Sequence, residues 1–371
     1  MYNLLDSIQS TLLLGAGPSS VAPTTYNALS KNTLGHLDPY FITIMDELKQ
    51  NLRVLFGTAN DVTVPISGTG TSGMEAAFVN IIERGDKVLI LQNGVFGTRM
   101  VDVATRLGAD VTELAFEWGK PVDVGMAADK IKTGKYKMVA IVMAETSTGV
   151  KNPVKEIGDL LKGSDTLYLV DTVTAIGGIP IEVDNWGIDI CYAGSQKCLS
   201  CPPGASPITF SERAIEVIKS RNCKVPNWSL DMTLLTQYWG GKTRVYHHTP
   251  PINMMYALYQ AVYDIIEEGP EKVFARHALA HDCLVKELEG LGWNMLVEKD
   301  YRLPMLNAVL VPENVNEAEL RSRLLNEYHI EISSGLGALA GKIVRIGLMG
   351  YNAKPECVAR LISAMKDILG I

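Results

Sequence analysis

The chain has 371 residues, of which 47% are hydrophobic and 20% are charged, and its formal net charge is −7. This composition is typical of a globular protein with a large core and two domains. The acidic balance argues against a nucleic-acid-binding protein, which needs a concentrated basic surface. The apolar run near the N-terminus is too short for an export signal or a membrane span, so we expect no membrane partner.

Six cysteines do not form a disulfide framework in a chain of this length, which favours a reducing cytoplasm as the location. Cys198 and Cys201 form a single C-x-x-C motif. A zinc site would need further ligands at suitable spacing, and His247 and His248 are adjacent instead. We therefore predict no metal site and interpret the two cysteines as small residues packed in a loop.

Strand and helix patterns alternate through the first two thirds of the chain. Apolar runs bounded by Gly, Asp or Thr predict four buried strands. These runs lie at 86–94, 136–146, 166–174 and 188–195. Helical periodicity between them, as in 71–85 and 97–109, completes the alternation. The pattern predicts an α/β fold with a mostly parallel sheet, whose ligands gather at the carboxyl ends of the strands.

The pattern changes near residue 255 to a long helical segment followed by short strands and helices. This change predicts a smaller C-terminal α+β domain. We place an N-terminal arm and a large domain at 1–255 and the smaller domain at 256–371. The polar stretch 222–244 is predicted to be a long connection.

Four features fall at the predicted strand ends. The segment SGTGTSGMEAA, at 67–77, places small residues and glycines at the start of a helix, where backbone N–H groups and the helix dipole favour an anion. Phe96 follows the first of the four strands and can stack on a planar ring. Asp171 ends the strand LYLVD, and Lys197 follows the next strand. Each has an ordinary structural interpretation when it is considered alone: a helix cap, a core aromatic, a turn carboxylate and a surface ion pair.

The four features together satisfy the needs of pyridoxal phosphate. That cofactor requires an amine that forms a Schiff base, an acidic partner for its ring nitrogen and a phosphate site. A lysine at the rim of a sheet is costly to desolvate unless it is paired or used in chemistry. We therefore predict that Lys197 forms the covalent link to the cofactor.

The sequence also resembles the class V aminotransferases, specifically the alanine–glyoxylate/serine–pyruvate branch, over nearly its whole length. The matching stretches are LLLGAGPSSVAP, ISGTGTSGMEAA, NGVFGTR, ETSTGV, VDTVTAIGG, GSQKCLSCPPG, YHHTPP and KIVRIGLMG. The resemblance implies a fold-type I pyridoxal phosphate-dependent transferase. Its large domain would contain a mostly parallel seven-stranded sheet, and the protein would be a homodimer with shared active sites.

The resemblance also implies roles for particular residues. Lys197 would carry the cofactor and move the substrate proton, and Asp171 would pair with the ring nitrogen. Arg345 would bind the substrate α-carboxylate through a bidentate fork, and Gly17 would line the substrate pocket. The remaining cofactor contacts would be Thr69, Gly70, Thr71 and Gln196 at the phosphate, Tyr246 and Thr249 at the phosphate of the neighbouring subunit, Phe96 at the ring, Ser147 near the ring hydroxyl, and Val173, to which no particular part of the cofactor is assigned.

Two residues depart from the pattern of animal relatives. Thr71 stands where His is common, which changes the phosphate contacts, and Cys198 stands where Ala is common. Neither departure changes the expected reaction, in which alanine or serine donates an amino group and glyoxylate or pyruvate accepts it in two half-reactions.

Other functions remain open at this stage. Arg99 or Arg244 would favour aspartate as the donor, and a ureidoglycine–glyoxylate aminotransferase is excluded only weakly. A cysteine desulfurase would need a mobile catalytic cysteine, whereas Cys357 falls in a predicted helix. A non-catalytic protein that retains the fold would have no need for Lys197, Asp171 and Arg345 together.

Overall fold

The computed structural model describes residues 3–241 and 243–371. The strands in these ranges are β1 (Leu12–Leu13), β2 (Val62–Ser67), β3 (Lys87–Gln92), β4 (Asp110–Ala115), β5 (Met138–Val142), β6 (Ala144–Glu145), β7 (Val150–Lys151), β8 (Leu167–Asp171), β9 (Ile190–Tyr192), β10 (Ala205–Phe210), β11 (Asn294–Met295), β12 (Leu306–Leu310), β13 (Ile330–Glu331), β14 (Ser333–Ser334) and β15 (Ile343–Gly347). The helices are α1 (Pro23–Leu29), α2 (Pro39–Phe56), α3 (Gly70–Ile81), α4 (Val95–Arg106), α5 (Val124–Thr133), α6 (Val154–Leu161), α7 (Glu212–Lys219), α8 (Met232–Trp239), α9 (Ile252–Glu268), α10 (Pro270–Gly290), α11 (Glu317–Tyr328) and α12 (Pro355–Leu369). None of the helices in the described ranges is long and apolar enough to cross a membrane.

A seven-stranded sheet forms the centre of the fold, in the order β2-β10-β9-β8-β5-β3-β4. Strand β10 pairs antiparallel with both β2 and β9, and the other pairings in the sheet are parallel. The inner strands β5 and β8 are buried at every position because helices cover both faces. The predicted α/β fold with a mostly parallel seven-stranded sheet is confirmed.

A four-stranded antiparallel sheet, in the order β11-β12-β15-β14, lies in the C-terminal part. A separate hydrophobic core joins this sheet to α10, α11 and α12, and Leu14 from the N-terminal segment belongs to it. Strand β1 pairs in parallel with β13 in a separate two-stranded sheet, so the N-terminal segment is attached to the C-terminal part of the fold. The first core, around the large sheet, includes eight buried residues of α9. The division at 255/256 stays a prediction.

The connection predicted at 222–244 contains more structure than expected. Helix α8 occupies Met232–Trp239, and it begins where Asp231 accepts a hydrogen bond from the N–H of Thr233 at 2.8 Å. The side chains of Leu235 and Tyr238 are buried in the first core. The segment is therefore partly helical because a capping aspartate precedes an amphipathic stretch of eight residues.

Candidate active site

A cavity of about 120 Å³ lies at the carboxyl ends of β5 and β8. The start of α3, the start of α4 and the loop after β9 complete its walls. Several residues that the sequence predicted for the cofactor line this one cavity, namely Gly70, Thr71, Phe96, Asp171, Val173, Gln196 and Lys197. The arrangement follows from the parallel topology, which brings the carboxyl ends of successive strands to the same edge.

Lys197 reaches the cavity from the loop after β9, and only 8% of its surface is exposed. Its Nζ donates a hydrogen bond to the backbone oxygen of Ala16. Burial, together with the positive charge of Arg345, lowers the pKa of Lys197 to about 8. The amine is therefore far more often neutral, and hence nucleophilic, than an exposed lysine.

Gly17 lies directly against this amine. A Cβ atom at position 17 would stand 2.3 Å from Nζ of Lys197, and the φ angle of +104° is one that side chains disfavour. The N-terminal segment is attached to the lysine loop by Ser19, whose Oγ donates to the backbone oxygen of Lys197 at 2.7 Å. The structure thus places Gly17 beside Lys197; its role toward substrate stays a prediction.

Asp171 is the last residue of β8 and is 3% exposed. One carboxylate oxygen accepts from the hydroxyl of Tyr192 at 2.7 Å, and the other accepts from the N–H of Val173 at 2.8 Å. Burial raises the pKa of Asp171 to about 6, while these hydrogen bonds and the positive charges of Lys197 and Arg99 oppose the increase. The group is mostly ionised at neutral pH, and a cation placed beside it would be stabilised.

The start of α3 offers free backbone donors. Thr69 occupies the N-cap position without a side-chain capping bond, and the N–H groups of Gly70 and Thr71 donate to no acceptor within the described ranges. Gln196 faces the same cavity, and its buried amide oxygen lacks a hydrogen-bond partner there. A half-turn of that amide presents its NH₂ group instead. The site therefore suits an anion with several acceptor oxygens.

Phe96 stands in the first turn of α4 and lines the cavity, with the guanidinium carbon of Arg99 at 5.0 Å from the centre of its ring. Ser147 does not line the cavity. Its Oγ donates to Glu145 Oε1 at 2.6 Å and accepts from the N–H of Val95 at 3.0 Å. The proposed contact of Ser147 with a cofactor hydroxyl would use the acceptor capacity that remains.

Arg345 lies on β15 and is 7% exposed. Its Nε donates to the backbone oxygen of Ser334 at 2.8 Å, and Nη1 donates to that of Thr146 at 3.1 Å. Nη2 has no acceptor in the part of the chain that the structure describes. No carboxylate forms an ion pair with this guanidinium in that part either. A buried arginine held by carbonyl groups alone is suited to an anionic ligand.

Tyr246 and Thr249 lie outside the cavity of their own chain, and both are exposed. Tyr246 is 57% exposed, and the centre of its ring lies 4.9 Å from that of the His36 ring. Their proposed role at the phosphate of a neighbouring subunit stays a prediction.

Glu145 is the feature of the site that sequence reasoning missed. It lies in the quoted motif ETSTGV, but a single glutamate after an apolar strand gives no signal of its own. Its place in the sequence could have indicated a role. Glu145 lies between the buried segments VAIVMA and TSTGV, and a buried carboxylate must accept several hydrogen bonds.

Comparison with known proteins identifies the family. The aminotransferase class-V profile matches residues 22–360. The chain belongs to the class V aminotransferases. It is therefore a pyridoxal phosphate-dependent aminotransferase of fold type I, as the motifs predicted.

Relatives of known name extend this result. The alanine–glyoxylate aminotransferase of Rattus norvegicus is 39% identical over 98% of this chain and 88% of its own length. The (S)-ureidoglycine–glyoxylate transaminase of Bacillus subtilis is 36% identical over 96% of this chain and 90% of its own length. A crystal structure of an alanine–glyoxylate aminotransferase from Nostoc sp. is 47% identical, covers 98% of this chain and 96% of its own, and superposes with a TM-score of 0.96.

The residues present fit the cofactor of this family. The unpartnered amide of Gln196 and the free N–H groups at the start of α3 provide donors for a phosphate. Lys197 provides a buried amine, and Asp171 provides a buried carboxylate in the same cavity. Pyridoxal phosphate supplies an aldehyde that an amine can join and a ring that accepts electrons from the substrate carbon.

Proposed function

We propose that this aminotransferase moves an amino group from a small L-amino acid, alanine or serine, to glyoxylate or pyruvate. The observation that carries the proposal is the combination of two buried cations: Lys197, in the cavity, and Arg345, whose Nη1 bonds the oxygen of Thr146 in the cavity wall. One cation provides the amine, and the other provides a free nitrogen for a carboxylate. The small cavity favours a short side chain on the donor.

Each residue then has a defined task. Arg345 binds the α-carboxylate with the donor group that it does not use internally, which fixes the substrate carbon over the site. Lys197 removes the proton from that carbon at Nζ, and its lowered pKa suits proton transfer near neutral pH. Asp171, held by Tyr192 and Val173, stabilises positive charge at the base of the cavity.

The order of reaction follows from one substrate position, shared by donor and acceptor, between the cavity of Lys197 and Arg345, which lines a separate pocket. The donor leaves as a 2-oxo acid before the acceptor binds at the same place, so the kinetics are ping-pong. We further propose that the enzyme is a cytoplasmic homodimer in which Tyr246 and Thr249 complete the phosphate site of the partner. Their exposure and their absence from the lining of the cavity in their own chain support this proposal.

Aspartate is the second candidate donor. Arg99 lines the cavity beside Phe96, where a distal carboxylate would meet it. Arg244 does not line the cavity, because it is paired with Asp46 and the backbone oxygen of Tyr238. The choice between alanine and aspartate thus depends on Arg99.

A two-step spectroscopic titration tests the proposal. The purified protein, saturated with pyridoxal phosphate, is mixed with L-alanine and then with glyoxylate. We expect the visible band to bleach with alanine and to return with glyoxylate, and we expect Lys197→Ala to abolish the exchange. A protein that stays colourless in excess cofactor would contradict the enzymatic function, while bleaching by aspartate alone would favour the second donor.

A further inference from the structure

The carboxylate of Glu145 is completely buried and is surrounded by donors. Oε1 accepts from the N–H and the Oγ–H of Ser147 at 3.1 and 2.6 Å. Oε2 accepts from the N–H groups of Phe96 and Gly97 at 3.2 and 3.3 Å. Four donors converge on two oxygens, which is the full capacity that an ionised carboxylate presents.

On one side, Glu145 replaces the missing cap of α4. The N-cap residue is Gly94, which has no side chain, and the carboxylate of Glu145 binds the free N–H groups of the first turn. A Cβ atom on Gly94 would lie 2.4 Å from Cγ and 2.5 Å from Cδ of Glu145. The φ angle of Gly94 is 176°, an ordinary extended value, so glycine is needed here for space. Glu145 thereby fixes the turn that carries the Phe96 ring.

On the other side, the same short segment holds the guanidinium of Arg345. The residue after Glu145 is Thr146, whose backbone oxygen accepts from Nη1 of Arg345 at 3.1 Å. The next residue, Ser147, binds the N–H of Val95 and so returns to the start of α4. The Glu145 carboxylate therefore lies between the turn that carries Phe96 and the guanidinium of Arg345, to which we assign the carboxylate of the substrate.

We propose that Glu145 is a positioning residue. It orients the first turn of α4, and with it the Phe96 ring, toward the cofactor, and it orients the Arg345 guanidinium toward the substrate. This inference rests on the proposed function. Glu145 does not line the cavity, so it touches neither cofactor nor substrate and acts through these two residues. Burial raises the pKa of Glu145 to about 7, while the hydrogen bonds from Ser147 and Gly97 and the dipole of α4 favour the ionised form.

The substitution Glu145→Gln distinguishes the positioning role of the carboxylate from the mere volume of the side chain. A glutamine keeps the size but offers one acceptor oxygen, and its NH₂ group must face two of the four donors. Either the α4 turn or Ser147 then loses its partner, and a buried donor without a partner is costly. Gly94→Ala provides a second variant, because its methyl group would displace the carboxylate and the Ser147 Oγ bound to it while leaving Glu145 in the sequence.

The matched control is Asp189→Asn. Asp189 is also a buried carboxylate; it accepts from the N–H of Tyr168 and the hydroxyl of Ser211 at 2.8 Å each, and unlike Glu145 it is paired with Arg213. It immediately precedes β9 and so lies at the amino end of that strand, whereas the cavity lies at the carboxyl ends of the parallel strands. Its loss therefore affects stability without moving Phe96 or Arg345.

The experiment measures the affinity of each apoenzyme for pyridoxal phosphate, the visible circular dichroism of the bound cofactor, and KM and kcat for alanine. We expect Glu145→Gln and Gly94→Ala to raise the cofactor Kd and the KM about tenfold each, to reduce the visible ellipticity, and to change kcat less than KM. Asp189→Asn should match the wild type in all of these while unfolding at a lower urea concentration.

The inference is overturned if Glu145→Gln, or Gly94→Ala where the former does not fold, gives the same Kd, ellipticity and KM as Asp189→Asn. Failure of the proposed function gives a different result, since the wild-type protein itself would then show no response to alanine.

Discussion

A Cβ atom on Gly17 would lie 2.3 Å from the amine nitrogen of Lys197 and 2.8 Å from its Cδ. The lysine side chain therefore packs against bare backbone, and no other residue type fits without moving it. Because we propose Lys197 as the reacting amine, we expect this contact to make Gly17 a determinant of activity.

The first prediction concerns Gly17→Ala. The methyl group pushes Lys197 away from the cavity, so we expect a loss of activity of about 100-fold with a weakened visible band of the bound cofactor. Gly163→Ala is the matched control, since Gly163 also has a positive φ angle, +75°, but has nothing within 4 Å of its Cβ position. Equal activity in the two variants would show that the contact between position 17 and Lys197 does not determine activity.

The second prediction concerns the proton on Lys197. Its pKa is lowered from 10.5 to about 8 in the folded protein, so between these values the unfolded chain binds a proton that the folded chain does not. Stability of the apoenzyme is therefore lost as the pH falls from 10.5 to 8 and is not regained below. We expect Lys197→Met to unfold with a free energy higher by about 3 kcal/mol at pH 7.

Chemical denaturation of both apoenzymes between pH 6 and 10.5 checks this expectation. The difference between Lys197→Met and the wild type should shrink as the pH rises. A difference in the free energy of unfolding that does not depend on pH would show that the side-chain packing of the introduced methionine, and not the proton on Lys197, causes the stabilisation. The rate of cofactor binding to the wild-type apoenzyme should also increase through pH 8, because we propose that neutral Lys197 reacts with the cofactor.

The third prediction concerns Asp171→Asn. The amide keeps the size of the side chain and can still accept from Tyr192 or Val173, but it cannot balance a positive charge. We expect the cofactor to remain bound through Lys197 while kcat falls about 100-fold or more. Single-turnover bleaching with alanine measures the effect, and an unchanged rate would remove Asp171 from the chemistry.

The fourth prediction concerns Arg345→Lys. A lysine keeps the charge but loses the planar fork and the two bonds to the carbonyl groups of Ser334 and Thr146. We expect KM for alanine to rise about tenfold or more, with a smaller change in kcat. Arg213→Lys is the control, since Arg213 also binds two backbone carbonyl groups but at the opposite edge of the sheet. Steady-state kinetics with alanine distinguish the two.

The fifth prediction concerns the shared site. Lys197→Ala and the double variant Tyr246→Phe/Thr249→Ala should each have little activity alone. After unfolding and refolding together, mixed dimers contain one site with neither change, so activity should return to about a quarter of the wild-type value. Absence of any recovery, with mixed dimers demonstrated by mass spectrometry, would place both residues outside the partner's site.

The sequence predicted those parts of the fold that depend on local pattern. The buried runs at 86–94 and 166–174 become β3 and β8 because a strand covered on both faces must be apolar throughout. The pairing of β1 with β13 was not foreseen, since residues 12 and 330 are brought together only by the tertiary fold.

The candidate site shows the same division. Asp171 and Lys197 could be placed together because the ends of neighbouring parallel strands meet at one edge. Glu145 could not be assigned a role, because its four donors come from its own turn and from α4, whose start lies about fifty positions earlier in the chain. Hydrogen bonds between distant segments leave no periodic signal in either segment.

The N-terminal segment has one further consequence. Leu14 is buried in the C-terminal core and accepts from the N–H of Gly347 at 2.8 Å, whereas five residues later Ser19 binds the backbone of Gln196 and Lys197. The segment 14–19 is therefore too short to allow the C-terminal sheet and the loop that carries Lys197 to move apart. Removal of the residues before Ser19 would break the covalent connection between these two parts and expose the amine of Lys197. We expect such an enzyme to keep its large sheet but to lose the fixed relative position of Lys197 and Arg345.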